Sequence, residues 1–197
     1  MIHCDRSKPV HYATDDGWEG HGITQILHAI EPYHGNREAM ERGSAVHAAC
    51  ALIALGLEPS IPPAFQYDPQ TFEGYCQQYR LWLADRVSEV LAVEEPAQCR
   101  KLHVATRLDF LGLLGQGHTN ALHLVEIKTG QPHHLHPMQV MAQKKMDGMD
   151  KAVKMRLLYL KPDSYQEVPV KWNPRTWATF ESMALAQWNA YQFRTKG

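Results

Sequence analysis

The chain has 197 residues, of which 44% are hydrophobic and 21% are charged, and its formal net charge is −1. This composition supports a single domain over residues 1–197, and it excludes a disordered acidic tail and a polybasic protein that coats DNA by charge alone. No apolar run approaches the ~18 residues of a membrane span, and the N-terminus carries no signal-peptide core, so we expect a cytoplasmic protein without a membrane partner.

The cysteines predict free thiols rather than a structural metal site or a disulfide framework. None of them forms a Cys-x-x-Cys pair, and a domain of this size does not need disulfides. They are Cys4, Cys50, Cys76 and Cys99.

The first part of the chain is polar and rich in glycine, and it predicts an irregular lead-in at residues 1–22. A short helix follows, with Thr24 as its predicted N-cap. Pro32 and Gly35 are expected to end it.

Two long helices are predicted next. The first spans residues 36–55, where Asn36 can cap the helix and Gly56 stops it. The second spans residues 70–90, where apolar side chains form one stripe along the helix.

The second half of the chain alternates strands with helices. Strands are predicted at residues 91–96, 103–114, 121–129, 155–160 and 167–171. Residues 115–120 have the turn chemistry of a hairpin loop. Helices are predicted at residues 137–147 and 174–193, the latter within a terminal segment of residues 172–197. This order indicates a mixed α/β fold.

Three charged residues lie within two apolar, strand-like segments: Asp109 in the first, and Glu126 and Lys128 in the second. Side chains alternate along a strand, so Glu126 and Lys128 point to one face. Burying such charges is costly unless they are paired or bind a metal. Two carboxylates and an amine that converge are what a divalent cation and an activated water need for phosphodiester hydrolysis. The alternative is an exposed strand face with a weak ion pair.

The predicted metal ion is Mg²⁺, which prefers oxygen ligands and keeps several waters. Asp109 and Glu126 are its predicted ligands, and the carbonyl oxygen of Ile127 could add a third. Lys128 is expected to hold the attacking water or to stabilise the charge of the pentavalent phosphate.

These residues resemble the motifs of the PD-(D/E)xK nuclease superfamily, in the branch of RecB-type nuclease domains and phage exonucleases. The resemblance covers residues 23–143, with Ala105 where one motif usually has glycine. The motifs correspond to Arg-Gly-x-x-Val-His at residues 42–47, Val-Glu at 93–94, the Asp109 strand at 105–112, Glu-x-Lys-Thr-Gly at 126–130 and Gln139.

The resemblance implies a restriction-endonuclease-like core, a central mixed β-sheet flanked by helices, and further site residues. His47 would bind the metal or the metal-bound phosphate, on a helix face where Gly43 allows close approach. Glu94 would complete the acidic cluster, with Glu95 as an alternative, and Gln139 would orient Lys128 or the DNA. The predicted DNA contacts are Arg42, Gln143, Lys144 and Lys145, and the alternative for the two lysines is a solvated helix face.

The sequence departs from the family in two ways. Relatives usually have Tyr four residues after the motif glutamine, and this chain has Gln143 there, so we expect its handling of substrate to differ. Some relatives bind an iron–sulfur cluster through one early and three late cysteines. This chain has no cysteine after Cys99, so no cluster is expected.

The function implied is a Mg²⁺-dependent DNA exonuclease, with Mn²⁺ as a substitute metal, of the phage type that resects linear DNA during recombination. If the chain is encoded by a phage, it would act in the host cytoplasm. Such relatives often work beside a single-strand annealing protein, and some form rings, so an annealing protein and further copies of this chain are candidate partners. The alternatives are a structure- or site-specific endonuclease and a catalytically silent DNA-binding module. The intact acidic pair and lysine argue against the second.

The segment His133-His134-x-His136 also suggests metal binding. With twelve histidines in the chain, chance clustering is common, and Pro132 and Pro137 bracket the segment. A polar loop beside the DNA path is the preferred interpretation.

Overall fold

A computed structural model describes residues 1–5, 7–8, 10–31, 37–115 and 120–196. Eight strands in these ranges form one sheet. They are β1 (Ile2–Cys4), β2 (Tyr12–Thr14), β3 (Glu19–Gly22), β4 (Val87–Cys99), β5 (Val104–Leu114), β6 (Ala121–Lys128), β7 (Lys154–Leu160) and β8 (Tyr165–Val170). Their order is β1-β2-β3-β5-β6-β7-β8, and β4 also pairs with β5. The pairs β3–β5 and β6–β7 are parallel and the others antiparallel, so the sheet is mixed.

Helices cover both faces of this sheet. They are α1 (Ile23–Ile30), α2 (Arg37–Ala54), α3 (Pro69–Arg86), α4 (His136–Gln143) and α5 (Pro174–Lys196). Apolar residues of α2 and α3 pack with Val125, whereas those of α4 pack with Leu124. These two neighbours in β6 point to opposite faces, so the two groups of helices form separate layers. Helices α1 and α5 share a core cluster with Ala142 of α4.

Strands β5 and β6 separate at one end, and this fork positions the site described below. Their ladder runs from Leu114 opposite Ala121 to Phe110 opposite Val125. The start of β5 pairs instead with β3, at Val104 and Ala105. Asp109 is the first residue of β5 beyond the ladder with β6.

The structure corrects the predicted lead-in and the start of the first helix. Strands β1, β2 and β3 occupy much of residues 1–22 and extend the sheet. These strands have only three or four residues each, which is too short for side-chain alternation to show in the sequence. Helix α1 begins at Ile23 with Gly22 as its N-cap, not Thr24, and the Gln25 side chain accepts a hydrogen bond of 3.2 Å from the Gly22 N–H.

The second long helix ends at Arg86 rather than near residue 90. Residues 87–90 fit helical spacing, but they pair with the end of β5 and begin strand β4. Tertiary strand pairing thus overrides a local helical pattern. The predicted helix signals Pro32, Gly35 and Asn36 lie outside the described residues, as does the hairpin turn at residues 116–119.

The cysteines are free thiols, as predicted, with Cys4 exposed and the other three buried. Within the described ranges, every helix is too short or too polar to span a bilayer.

We expect the free energy of unfolding to fall under mildly acidic conditions, because burial lowers the pKa values of His21 and His123 below the ordinary 6.5. The unfolded chain therefore takes up these protons at a higher pH than the folded chain. The free energy of unfolding that depends on these two neutral histidines is fully present above pH 6.5. It is lost as the pH falls from 6.5 toward the lower pKa values of the folded chain. Thermal unfolding at neutral and at mildly acidic pH tests this. The melting temperature should fall less between the two pH values for His123→Gln than for the unchanged protein. Equal losses would contradict this.

Candidate active site

The predicted catalytic residues meet at the fork between β5 and β6. Continuing the register of the ladder by one step places Asp109 opposite Glu126, so their side chains share a face. The Ile127 N–H donates a hydrogen bond of 2.7 Å to Oδ2 of Asp109. The Asp109 carboxylate thus accepts a hydrogen bond from the backbone of β6 just beyond the end of the ladder between the two strands.

Donors surround the carboxylate of Glu126, a residue that is only 2% exposed. Its Oε1 accepts hydrogen bonds from Lys128 Nζ at 2.8 Å and from Gln139 Nε2 at 2.5 Å. Its Oε2 accepts a bond of 2.6 Å from Gln143 Nε2. Lys128 Nζ also donates to Gln139 Oε1 at 2.9 Å. The structure therefore brings Glu126, Lys128 and Gln139 together.

His47 reaches the same place from helix α2. Its Nδ1 lies 3.3 Å from Asp109 Oδ1. One turn earlier, a Cβ at Gly43 would lie 3.3 Å from Oγ1 of Thr129, just after β6, so glycine permits close packing of the helix there. The sequence had predicted this close approach.

Glu94 approaches Asp109 from β4 through an uncommon backbone conformation. Its φ of 50° lies in the left-handed region, which side chains other than glycine rarely adopt. The flanking pairs, Val93 with Phe110 and Glu95 with Leu108, place Glu94 level with Asp109. Glu94 lines the cleft, whereas Glu95 is exposed and does not line it, so the geometry favours Glu94.

A group of three residues at this point can hold a metal ion. They are His47, Glu94 and Asp109, which we call the acidic cluster. Each offers one ligand atom, and these atoms lie within 4.8 Å of one another. Glu126 lies beside this group, with both oxygens engaged by the donors described above. Metal ligation by Glu126 and by the Ile127 carbonyl stays a prediction.

The carboxylates respond differently to this crowding. Burial favours the neutral acid of Asp109, but the charges of His47 and Lys128 outweigh it and lower the pKa of Asp109. Burial and the nearby charge of Asp109 raise the pKa values of Glu94 and Glu126. The three acids therefore repel one another when all are ionised, and a bound cation would relieve this repulsion.

The Lys128 ammonium is stable in this setting. Burial disfavours its charge, but Glu126 and Asp109 outweigh that effect and raise the pKa of Lys128. Burial likewise opposes the charged form of His47, and Asp109 raises the pKa of His47. Lys128 is therefore a hydrogen-bond donor at neutral pH and not a base.

The site opens into a cleft of about 920 Å³ between α2 and the β4–β5 strands. Arg107 lines this cleft, is exposed, and lies 3.8 Å from Glu94 through its guanidinium. Sequence reasoning missed this residue. Strand alternation could have found it, because Arg107 lies two residues before Asp109 on the same strand.

Gln143 occupies a different place from the one predicted. Its side chain has no exposed surface and bridges the fork, donating to Glu126 and, at 3.5 Å, to the Arg107 carbonyl. Because the Gln143 side chain has no exposed surface, it cannot contact DNA bound at the surface of this structure. Gln143 holds the Glu126 carboxylate instead.

The predicted basic contacts also lie outside the cleft. The Arg42 guanidinium lies 4.3 Å from the Phe65 ring centre and 3.3 Å from Asp68. Lys144 donates to the Val153 carbonyl at 2.6 Å, and Lys145 lies over the Trp172 ring at 4.7 Å. These local partners, which sequence spacing does not show, direct all three away from the acidic cluster.

Comparison with known proteins bears on the fold. Neither a protein-family model nor a curated protein sequence matches this chain. The structure is similar to an alkaline exonuclease (LHK-Exo) from Laribacter hongkongensis, with a TM-score of 0.51 and 14% identity over 89% of each chain. It is also similar to LHK-Exo in complex with dAMP, with a TM-score of 0.50 and 14% identity over 88% of each chain. The chain therefore has the restriction-endonuclease-like fold, a mixed sheet flanked by helices, and the predicted fold class is confirmed.

Proposed function

We propose that this chain is a Mg²⁺-dependent deoxyribonuclease that degrades linear DNA as an exonuclease. The observation that carries the proposal is the meeting of His47, Glu94 and Asp109 beside the Glu126–Lys128 pair at the floor of an open cleft. Burial of this many charges is costly, so a purely structural role does not account for them.

The donor set fits a hard divalent cation. His47, Glu94 and Asp109 would hold it, with Glu126 next to them, and two carboxylates suffice for Mg²⁺ because it keeps several waters. When bound, Mg²⁺, or Mn²⁺ in its place, would polarise the phosphate and acidify a water.

The side chains around this set have separate tasks. The Lys128 ammonium is held by Glu126 and Gln139. It stabilises the negative charge that develops on the phosphate oxygens during hydrolysis. Arg107, exposed along the same cleft, attracts the DNA phosphates.

The similarity of fold supports exonuclease action in particular. LHK-Exo is an exonuclease whose structure has been solved with dAMP, and its fold is shared over most of this chain. The proposed partners are a single-strand annealing protein and further copies of the chain. The proposed role is phage-type recombination, carried out in the cytoplasm.

The test is digestion of linear and covalently closed circular duplexes in Mg²⁺, with chelator as the metal-free control. We expect loss of linear DNA from its ends and intact circles. Cleavage of circles would favour the endonuclease alternative. Retained DNA binding without any cleavage would favour the silent binding module and contradict the proposal.

Gln143→Met should slow cleavage by about 10- to 100-fold, because a hydrogen bond to a charged group contributes about 1.5–3 kcal/mol. The KM for DNA should not change, since Gln143 is buried under Glu126 and not exposed to substrate. Steady-state kinetics test this, with Gln166→Met at an exposed position as the matched control. A raised KM with normal turnover would instead support the original prediction that Gln143 contacts DNA.

A further inference from the structure

A second group of metal-ligating side chains lies outside the acidic cluster. Glu31, which caps the C-terminus of α1, faces His133 and His134 in the segment before α4. We propose that these three residues form a binding site for a divalent transition-metal ion, with Zn²⁺ as the preferred occupant.

The geometry of the group suits tetrahedral coordination. Nε2 of His133 lies 3.5 Å from one Glu31 oxygen, and Nε2 of His134 lies 3.0 Å from the other. One ligand atom from each residue lies within 4.8 Å of the other two. Zinc bonds of about 2.0–2.2 Å at tetrahedral angles separate neighbouring ligand atoms by about 3.3–3.5 Å. Small side-chain movements would therefore bring all three atoms onto one ion.

The ligand types select the metal. Two imidazole nitrogens and one carboxylate form a set that zinc sites use with a fourth position left open. Mg²⁺ prefers oxygen ligands, so it should bind here far more weakly than Zn²⁺. The acidic cluster has the opposite balance, with two carboxylates and one histidine.

Metal binding would replace the contacts of both histidines with Glu31, and it would also break a hydrogen bond of His133. The Leu135 N–H donates a hydrogen bond of 3.3 Å to Nδ1 of His133. With Nε2 on a metal, the ring proton moves to Nδ1 and this hydrogen bond is lost. The bond is long, so its loss opposes metal binding only weakly.

The location connects this group with the proposed catalytic residues. Glu31 and His133 line a cavity of about 640 Å³ that His47, Lys128 and Gln139 also line. An ion held by the group would add positive charge to a cavity that already contains the Lys128 ammonium. An anionic group, such as a phosphate oxygen, is the ligand that this charge favours at the open position.

The experiment is calorimetric titration with Zn²⁺ near neutral pH. The parent is Asp109→Asn, since the acidic cluster could also bind zinc. We expect one equivalent of zinc on this parent. His133→Gln, His134→Gln and Glu31→Gln, each added to it, should weaken zinc binding by at least about tenfold, as loss of a ligand should cost no less than loss of its supporting groups. His28→Gln, which alters an exposed histidine of the same cavity outside the group, should not weaken it.

Absence of zinc binding by the parent would overturn the proposal. It would also be overturned if the three ligand variants bound zinc as the parent does, or if Mg²⁺ bound as tightly as Zn²⁺. Circular dichroism of each variant checks that it is folded. The readout is binding rather than cleavage, so the result does not depend on whether the chain is a nuclease.

Discussion

Asp109→Asn should slow Mg²⁺-dependent DNA cleavage by at least about 10³-fold while the fold is retained. The substitution removes the central charge of the acidic cluster, and losing about 4 kcal/mol of transition-state stabilisation corresponds to a change of this size. The amide of asparagine keeps an oxygen that can accept the hydrogen bond from Ile127 N–H. Loss of activity would therefore report on chemistry rather than on unfolding.

Two measurements on Asp109→Asn separate the outcomes. The rate of digestion of end-labelled linear duplexes gives the effect on cleavage, and calorimetry gives the heat of Mg²⁺ binding. Asp163→Asn, at an exposed position, is the matched control. Equal heats for Asp109→Asn and the unchanged protein would remove Asp109 from the metal site and would support the silent-module alternative.

Lys128→Met should lower turnover by at least about 10²-fold, a typical cost of removing one electrostatic catalytic group. Methionine nearly preserves the shape of the side chain but removes the ammonium that donates to Glu126 and Gln139. Glu126 keeps its bonds from Gln139 and Gln143, so the pocket should persist. DNA affinity should change little, because the ammonium is mostly buried and bonded to the protein.

Single-turnover cleavage and DNA binding in a non-catalytic metal such as Ca²⁺ test this expectation. Lys161→Met removes an exposed ammonium elsewhere and should behave as the unchanged protein. A normal single-turnover rate for Lys128→Met would exclude Lys128 from the mechanism. A large loss of DNA affinity would assign it to binding instead.

The agreement between sequence and structure is best where a pattern depends on neighbouring residues. Strand alternation placed Glu126 and Lys128 on one face, and in the structure Lys128 Nζ lies 2.8 Å from Glu126 Oε1. Strands β5 and β6 begin and end within about one residue of their predicted bounds, because their apolar runs are long and clearly interrupted. The role of His47 came only from resemblance, since a lone histidine on a helix is usually structural.

Three predicted DNA contacts have other partners in the structure, and all three depart from the prediction for the same reason. Gln143, Lys144 and Lys145 follow one another in the chain, yet their partners differ. Gln143 donates to Glu126, Lys144 donates to the Val153 carbonyl just before β7, and Lys145 lies over the Trp172 ring just before α5. Their directions depend on how α4 packs against strands that are distant in sequence. Local spacing contains no information about such partners.

The amino-acid sequence by itself determined strands β5 to β8, part of β4 and most of the helices. It also showed that two acids and a lysine lie inside apolar strands, because these features follow from side-chain alternation and from the cost of burying charge. Only the tertiary structure decided that β5 and β6 separate at Asp109, that Glu94 turns toward it, and that Glu31 meets the histidine pair. These features depend on strand register and helix packing, which are set by contacts between residues far apart in the chain.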